Sequence, residues 1–213
     1  MKTISPRLNT SIILVRHGES YGNIHGDVTG SDPELTDNGK KQANVLADLL
    51  SSYQIDAIYA SDLHRARQTA AIIADKLHMQ HVTDTRLRER YFGTVEGLTH
   101  DEIISQYGSS WNDFYSYPHE VQMTWKLVPD MESYDEVFER FHAWFEHIAS
   151  THTGTIVAVS HANVILTLLT HLGFARLSEL PRGSIENTAY MRLQLIDGTW
   201  TIVETAGIHK KSI

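Results

Sequence analysis

Short apolar runs alternate with helical patterns of apolar residues along this chain. Residues 12–15 form a continuous apolar run, which is typical of a strand buried on both faces of a parallel sheet. Residues 55–61 and 155–160 have the same character, and a weaker strand pattern covers residues 81–83. We therefore predict parallel strands that are connected by helices.

Two helices are predicted in the first half of the chain. Thr36 is the candidate N-cap of the first helix, which is expected to end near Ser51. The second helix follows the strand at residues 55–61, with Ser61 or Asp62 as its candidate cap. The apolar positions that indicate these helices are Ala43, Leu46, Ala47, Leu50, Ala66, Ala70, Ile73 and Leu77.

Two more helices and a hairpin are predicted in the second half. Residues 132–150 have the most regular helical pattern, with Ser133 as the candidate cap. The helix after the strand at residues 155–160 is expected to end at Gly173. The dipeptide Asp197-Gly198 is a strong turn signal and predicts a C-terminal hairpin.

The order of these elements predicts an α/β fold, a three-layer sandwich with a mostly parallel central sheet and helices on both faces. The alternation fails between residues 86 and 129, in a stretch rich in aromatic residues. We interpret this stretch as a small cap insertion at about residues 90–131. The length of 213 residues favours a single domain that spans residues 1–213.

Composition excludes several kinds of function. A net charge of −8 argues against binding to nucleic acid, which needs clustered Lys and Arg side chains. The absence of cysteine excludes disulfides, thiolate metal sites and a cysteine nucleophile. The apolar run at residues 12–15 is too short for a signal peptide, and no later segment is long enough to span a membrane. We expect a cytoplasmic protein without membrane partners; a homo-oligomer stays open.

Arginine and histidine side chains follow three of the predicted strands. Arg16 and His17 follow the first strand, Arg65 lies just beyond the second, and His161 follows the third. Ligands of parallel α/β sheets bind beyond the carboxyl ends of the strands, so we expect these side chains to converge. Two guanidinium groups suit the oxygens of a phosphate ester, and a neutral imidazole can attack its phosphorus. The cluster therefore indicates phosphoryl transfer.

Two further residues fit this chemistry. Gly18 lets the backbone approach His17 closely and leaves a carbonyl or amide free to fix the imidazole tautomer. An alkoxide leaving group needs a proton, and Glu89 is the candidate donor. If its segment is extended, Arg88 and Arg90 point to the opposite face and Glu89 faces the site.

Six sequence motifs, in order, resemble the histidine phosphatase superfamily, also called the phosphoglycerate mutase-like family. They are LVRHGES with Asn23 six positions after His17, ELTDNGKKQA, YASDLHRARQTA, LRERYFGTVEGL, ESYDEVFER and VSHANVI. The resemblance covers nearly the whole chain and implies the α/β fold predicted above.

The resemblance also implies a role for each matched residue. His17 would be the nucleophile that forms a phosphohistidine, and Glu89 would donate the proton and later activate water. Arg16, Arg65 and His161 would complete the catalytic phosphate pocket. The implied phosphate ligands are Arg16, His17, Asn23, Arg65, His161 and the backbone of Ala162, where many members have glycine. No metal or cofactor is implied.

The insertion bears on which reaction of the family applies. Lys126 is its only Lys or Arg between residues 97 and 131, whereas a mutase must hold a second phosphate and a carboxylate. Its acidic and aromatic residues favour a phosphomonoesterase for small phosphorylated metabolites with neutral or apolar leaving groups, and the resemblance implies that it is metal-independent. Most of the aromatic residues are expected to pack the insertion onto the main sheet. A bisphosphoglycerate-dependent mutase, a sugar bisphosphatase using Arg90 or Arg182, and a silent phospho-ligand binding protein are the alternatives.

Overall fold

A six-stranded sheet forms the centre of the computed structural model, which describes residues 10–25, 32–196 and 198–211. The strands in this part of the chain are β1 (Thr10–Arg16), β2 (Ile55–Ala60), β3 (His81–Thr83), β4 (Gly154–Ser160), β5 (Ile185–Ile196) and β6 (Thr199–Ile208). Their order across the sheet is β3-β2-β4-β1-β5-β6. The pairs β3·β2, β2·β4 and β4·β1 are parallel, whereas β1·β5 and β5·β6 are antiparallel. The sheet is mostly parallel, as predicted.

Helices cover both faces of this sheet. The α-helices of the described residues are α1 (Tyr21–His25), α2 (Asp37–Leu50), α3 (His64–Leu77), α4 (His100–Tyr107), α5 (Ser110–Asp113), α6 (His119–Thr124), α7 (Tyr134–Thr151) and α8 (Ala162–His171). One core lies between the sheet and α2 and α3, and the other lies between the sheet and α7 and α8. This arrangement confirms the predicted three-layer sandwich.

Strand β1 contributes to both cores. Ile12 and Leu14 pack on the side of α7 and α8, and Ile13 and Val15 pack on the side of α2 and α3. All four side chains are fully buried, which explains the continuous apolar run. Each contributes about 1.5–3 kcal/mol to stability. Strand β1 also pairs in parallel with β4, which places the carboxyl ends of the two strands side by side.

The predicted caps of α2 and α7 are confirmed, and α2 and α8 end close to their predicted positions. The Thr36 side chain accepts a hydrogen bond from the Gly39 amide, and α2 ends at Leu50. Ser133 caps α7 in a reciprocal pair of hydrogen bonds with Glu136. Helix α8 ends two residues before Gly173, which has a φ of 70°.

The predicted cap of α3 is wrong. Leu63 occupies the N-cap position and makes no side-chain capping hydrogen bond. Asp62 instead accepts two hydrogen bonds from Arg88, at 2.7 and 2.6 Å, and Ser61 accepts one from the Leu63 amide. An ion pair with a distant segment therefore replaces the local cap.

The C-terminal hairpin is confirmed by the pairing of Ile196 with Thr199 at the end of β5 and the start of β6. Gly198 lies in this turn with a φ of 80°, and Asp197 lies outside the described residues. No helix among the described residues is long and apolar enough to cross a membrane.

The aromatic stretch folds into short helices, α4 to α6, around a small core of its own. Phe92, Val95, Ile103, Val128 and Met131 are buried in this core. We refer to residues 92–131 as the cap. The predicted boundaries of the insertion and the single-domain organisation stay predictions.

Candidate active site

The carboxyl ends of β1 and β4 bring two histidines together. Arg16 pairs with Ser160 in the parallel register, and the His17 amide donates a 3.0 Å hydrogen bond to the Ser160 carbonyl. The next residue after β4 is His161, whose ring centroid lies 5.1 Å from that of His17 at an interplanar angle of 60°. Arg65, in the first turn of α3, donates from Nε to Nε2 of His17 at 3.2 Å.

Six of the seven predicted site residues line one cavity of about 520 Å³. They are Arg16, His17, Asn23, Arg65, Glu89 and Ala162. The seventh, His161, is fully buried against the His17 ring. The structure therefore brings all the predicted residues to one place. Within the described ranges, no group of three or more His, Cys, Asp or Glu side chains is arranged to hold a metal ion.

The hydrogen bonds of His17 define its tautomer. Its Nδ1 atom lies 2.7 Å from the Gly18 carbonyl oxygen, which can only accept, so Nδ1 carries the proton. Burial, reinforced by the guanidinium groups of Arg65 and Arg16, holds the pKa of His17 well below its ordinary value. The imidazole is therefore neutral near pH 7, with its lone pair on Nε2.

Glycine is required beside His17 because two backbone segments touch there. A Cβ atom on Gly18 would lie 2.5 Å from the Gly39 carbonyl oxygen in the first turn of α2. The Gly18 amide also donates to Thr69 Oγ1 at 3.0 Å. This close packing holds the Gly18 carbonyl in place under Nδ1, as the sequence predicted for a glycine at this position.

Four buried nitrogen atoms at this site have no hydrogen-bond partner among the residues that the structure describes: Nε of Arg16, Nη1 of Arg65 and both ring nitrogens of His161. Nη1 of Arg65 lies 3.8 Å from an Asp32 carboxylate oxygen, too far for a hydrogen bond. Buried polar groups are nearly always paired, so this cluster indicates a ligand rich in acceptor oxygens.

Burial shapes the charges of the same cluster. It lowers the pKa of both Arg16 and Arg65, and the Glu89 carboxylate partly opposes this effect. Burial, with the nearby Arg65 charge, also holds the pKa of His161 well below its ordinary value. Two guanidinium cations and two neutral imidazoles therefore share the site with the carboxyl group of Glu89.

Glu89 is half-buried in the wall of the cavity, and its Oε1 accepts a 2.8 Å hydrogen bond from the Arg90 amide.

Arg140, on α7, anchors the backbone of the segment that carries Glu89. Its Nη1 donates to the carbonyls of Arg86 and Arg88 at 2.8 and 2.9 Å, and its Nε and Nη2 pair with the Glu132 carboxylate. Glu132 in turn accepts from the Tyr91 amide at 2.8 Å.

The expectation that Arg88 and Arg90 both point away from the site is correct only for Arg88, which is exposed and paired with Asp62. Arg90 is buried in the cavity wall. Its Nε donates to the Glu132 carbonyl at 2.7 Å, and its guanidinium lies 4.3 Å from the centroid of the Tyr134 ring. These contacts hold Arg90 against the start of α7 and the residue just before its N-cap, because a planar guanidinium can bind a carbonyl and an aromatic face together.

Aromatic rings line the outer cavity, whereas most of them were expected only to pack the cap onto the main sheet, and the expectation of an acidic lining is also wrong. The aromatic lining residues from the cap are Phe92, Trp111, Phe114, Tyr115 and Trp125, and α7 adds Tyr134. None of the cap's acidic residues lines the cavity. Lys126 pairs with Glu136 at 2.6 Å and does not line it either. Arg182 contributes a cation to the wall from outside the cap.

Sequence reasoning missed Asn187 and Thr188, which lie where β5 passes the site. Asn187 lines the cavity, and its Nδ2 donates to the His17 carbonyl at 3.2 Å. Thr188 donates to the same carbonyl from its amide and has a φ of 62°, in the left-handed region. No local sequence signal marks this kink, because neither residue is a glycine.

Comparisons with known proteins agree with this geometry. The family model of the histidine phosphatase superfamily (branch 1) matches residues 12–206. Phosphoglycerate mutase-like protein 4 of Arabidopsis thaliana is 36% identical over 196 residues, which cover 90% of this chain and 82% of that protein. Phosphoserine phosphatase 1 of Hydrogenobacter thermophilus is 32% identical over 181 residues, which cover 84% of this chain and 83% of that protein.

One similar solved structure is a mycobacterial glucosyl-3-phosphoglycerate phosphatase in complex with VO3. It matches with a TM-score of 0.78 at 25% identity, over 93% of this chain and 98% of that chain. The similarity therefore extends over nearly the whole of both chains. The chain belongs to the histidine phosphatase superfamily.

Proposed function

We propose that this protein is a metal-independent phosphomonoesterase that hydrolyses small phosphate esters through a phosphohistidine on His17. The observation that carries the proposal is the set of four buried nitrogens without a partner in the described part of the chain, around a neutral imidazole whose lone pair is on Nε2. The phosphatase names of relatives in the same superfamily support it.

The phosphate dianion would bind between Arg16, Arg65 and His161. Nε of Arg16 and Nη1 of Arg65 would each donate to a phosphate oxygen, and a ring N–H of His161 would donate to another. Asn23 would add a further donor. The backbone at Ala162, the first residue of α8, offers N–H groups that have no partner inside the helix.

In the first step, Nε2 of His17 attacks phosphorus, and the bond from phosphorus to the leaving-group oxygen breaks. Nε of Arg65, which donates to Nε2 in the ligand-free structure, would move to a phosphate oxygen and free the lone pair. Glu89 gives its proton to the leaving oxygen. The Gly18 carbonyl stabilises the positive charge that develops on the imidazole, because it keeps the hydrogen bond from Nδ1.

In the second step, a water molecule replaces the departed alcohol beside Glu89. The Glu89 carboxylate takes a proton from this water while the water oxygen attacks phosphorus. The bond between phosphorus and Nε2 breaks and returns the electron pair to the imidazole. Inorganic phosphate then leaves, and Glu89 is protonated again for the next cycle.

The cap favours small esters with a neutral or apolar leaving group. Trp111 lies with its ring centroid 6.3 Å from that of Phe92 and 6.2 Å from that of Trp125, so the outer cavity has a continuous aromatic wall. A carboxylate-bearing ester such as phosphoserine is the second candidate, because Arg182 lines the same cavity. A cytoplasmic location stays a prediction from the sequence.

Hydrolysis of p-nitrophenyl phosphate in excess EDTA tests the proposal, with His17→Ala beside the wild type and His142→Ala as the control at an exposed histidine. We expect activity that resists the chelator, survives in the control, and falls by at least about a thousand-fold in His17→Ala. An inactive wild type would contradict the proposal and favour a mutase or a silent binding protein.

A further inference from the structure

The carbonyl of His17 accepts hydrogen bonds from two successive residues of β5. The Thr188 amide lies 3.3 Å from this oxygen, and Nδ2 of Asn187 lies 3.2 Å from it. Nδ2 of Asn187 also lies 3.1 Å from Oδ1 of Asn23. A side-chain amide nitrogen has two N–H groups, so Asn187 uses one on each acceptor. It thereby links the backbone of His17 to a side chain on α1.

These contacts define the orientation of the Asn23 side chain. Its Oδ1 accepts from the Ser20 amide at 3.0 Å and from Ser20 Oγ at 3.2 Å, as well as from Asn187. With the donors on one end of the amide, the opposite end is the NH₂ group. Because Asn23 lines the cavity, this NH₂ group is available to an anion there.

The backbone of β5 departs from regular geometry to make this link. Thr188 has a φ of 62°, which is strained for a β-branched residue, and the pairing with β6 shifts register between Ile185 and Tyr190. Such strain persists where surrounding contacts hold it, and it clusters at functional sites. Here the irregular backbone places both the side-chain amide of Asn187 and the backbone N–H of Thr188 against the His17 carbonyl.

We propose that Asn187 is a positioning residue that holds Asn23 with its NH₂ group toward bound phosphate. The proposal rests on the proposed phosphate site. Without the Asn187 donor, only the Ser20 contacts orient the Asn23 amide, so its NH₂ group is held less firmly toward the anion. The consequence is weaker phosphate binding, transmitted through Asn23.

A double-mutant cycle separates this role from general support of the fold. Binding of inorganic phosphate is measured by titration calorimetry for the wild type, Asn187→Ala, Asn23→Ala and the double variant, with inhibition by orthovanadate as a second readout. We expect Asn187→Ala to weaken phosphate binding about ten-fold in the wild-type background. In the Asn23→Ala background the same change should weaken it less than about two-fold.

Asn44→Ala, which removes an exposed amide on α2, is the matched control and should bind phosphate like the wild type. Asn187→Ser, which keeps a small polar side chain, replaces Asn187→Ala if the latter does not fold. Unchanged phosphate binding in the folded Asn187 variant, or an equal loss in both backgrounds, would overturn the proposal. Calorimetry needs no turnover, so a failure of the proposed hydrolysis would be seen separately.

Discussion

The Nδ1 atom of His17 lies 2.7 Å from the carbonyl oxygen of its neighbour Gly18. This contact places the imidazole proton on Nδ1 and the lone pair on Nε2, on the side of Arg65. Gly18 can make the contact because it has no Cβ atom to collide with the Gly39 carbonyl. The glycine thus connects local packing to the proposed chemistry of the histidine.

Glu89→Gln is expected to discriminate between leaving groups. The amide cannot give a proton, so kcat for an alkyl phosphate should fall at least about a hundred-fold. The p-nitrophenolate ion needs little protonation, so kcat for p-nitrophenyl phosphate should fall less than about ten-fold. Steady-state kinetics on both esters, with Glu120→Gln in the exposed part of the cap as the control, provide the test. Equal losses on the two esters would rule out the acid role of Glu89.

Arg140→Lys is expected to reproduce this pattern in a weaker form. Lysine cannot bind the Arg86 and Arg88 carbonyls and the Glu132 carboxylate together, so the Glu89 segment should lose its fixed position. We expect about a ten-fold loss of kcat on an alkyl phosphate and less than about three-fold on p-nitrophenyl phosphate.

Arg86→Lys is the matched control for Arg140, because Arg86 lies on the segment that leads to Glu89 and its ion-pair partner among the described residues is the neighbouring Asp84. Its ratio of rates on the two esters should equal that of the wild type. If Arg140→Lys slowed both esters by the same factor, its role would be structural support alone.

Stability should fall as the solution is acidified below the ordinary histidine pKa of 6.5. The pKa values of His17 and His161 are lowered in the folded state, so the unfolded chain binds more protons in this window. As the pH falls from 6.5 to the pKa of the folded state, each histidine should lower the free energy of unfolding by up to about 1.4 kcal/mol per pH unit. Urea unfolding at a series of pH values measures this slope. His161→Gln should reduce the slope by about one proton, and an unchanged slope would contradict the assignment.

The cap wall should determine which leaving groups are accepted. Trp111→Ala is expected to lower kcat/KM for phenyl phosphate about five-fold and that for O-phosphoserine less than about two-fold. Arg182→Gln is the reciprocal variant. Removal of the guanidinium should lower kcat/KM only for O-phosphoserine, because only that ester carries a carboxylate. If Trp111→Ala affected both substrates equally, the aromatic wall would not contact the leaving group.

The helices and strands were largely predictable because periodicity reports burial directly. Residues 12–15 read as a doubly buried strand, and β1 is buried on both faces. The Thr36 and Ser133 caps were predictable because their partners lie three residues away. The cap of α3 was not, because Asp62 is drawn to Arg88 by a contact between segments distant in sequence.

The candidate site likewise contains residues that the sequence predicted and residues that it did not. Arg16 is the last residue of β1, and His17 and His161 directly follow β1 and β4, so the parallel topology alone brings them together. Asn187 comes from the antiparallel strand β5 and reaches His17 through an irregular backbone that no pattern of apolar residues indicates. The acidic side chains of the cap were misjudged because composition does not say which face of a short helix meets the cavity.

Trapping of the covalent intermediate tests the central claim most directly. The wild type is mixed with p-nitrophenyl phosphate, quenched in alkali to preserve phosphohistidine, digested, and analysed by tandem mass spectrometry. The account predicts one phosphoryl group on the peptide that contains His17, located on that side chain, and none in His17→Ala. Active wild-type enzyme with phosphate on another residue, or with no phosphorylated peptide at any quench time, would contradict it.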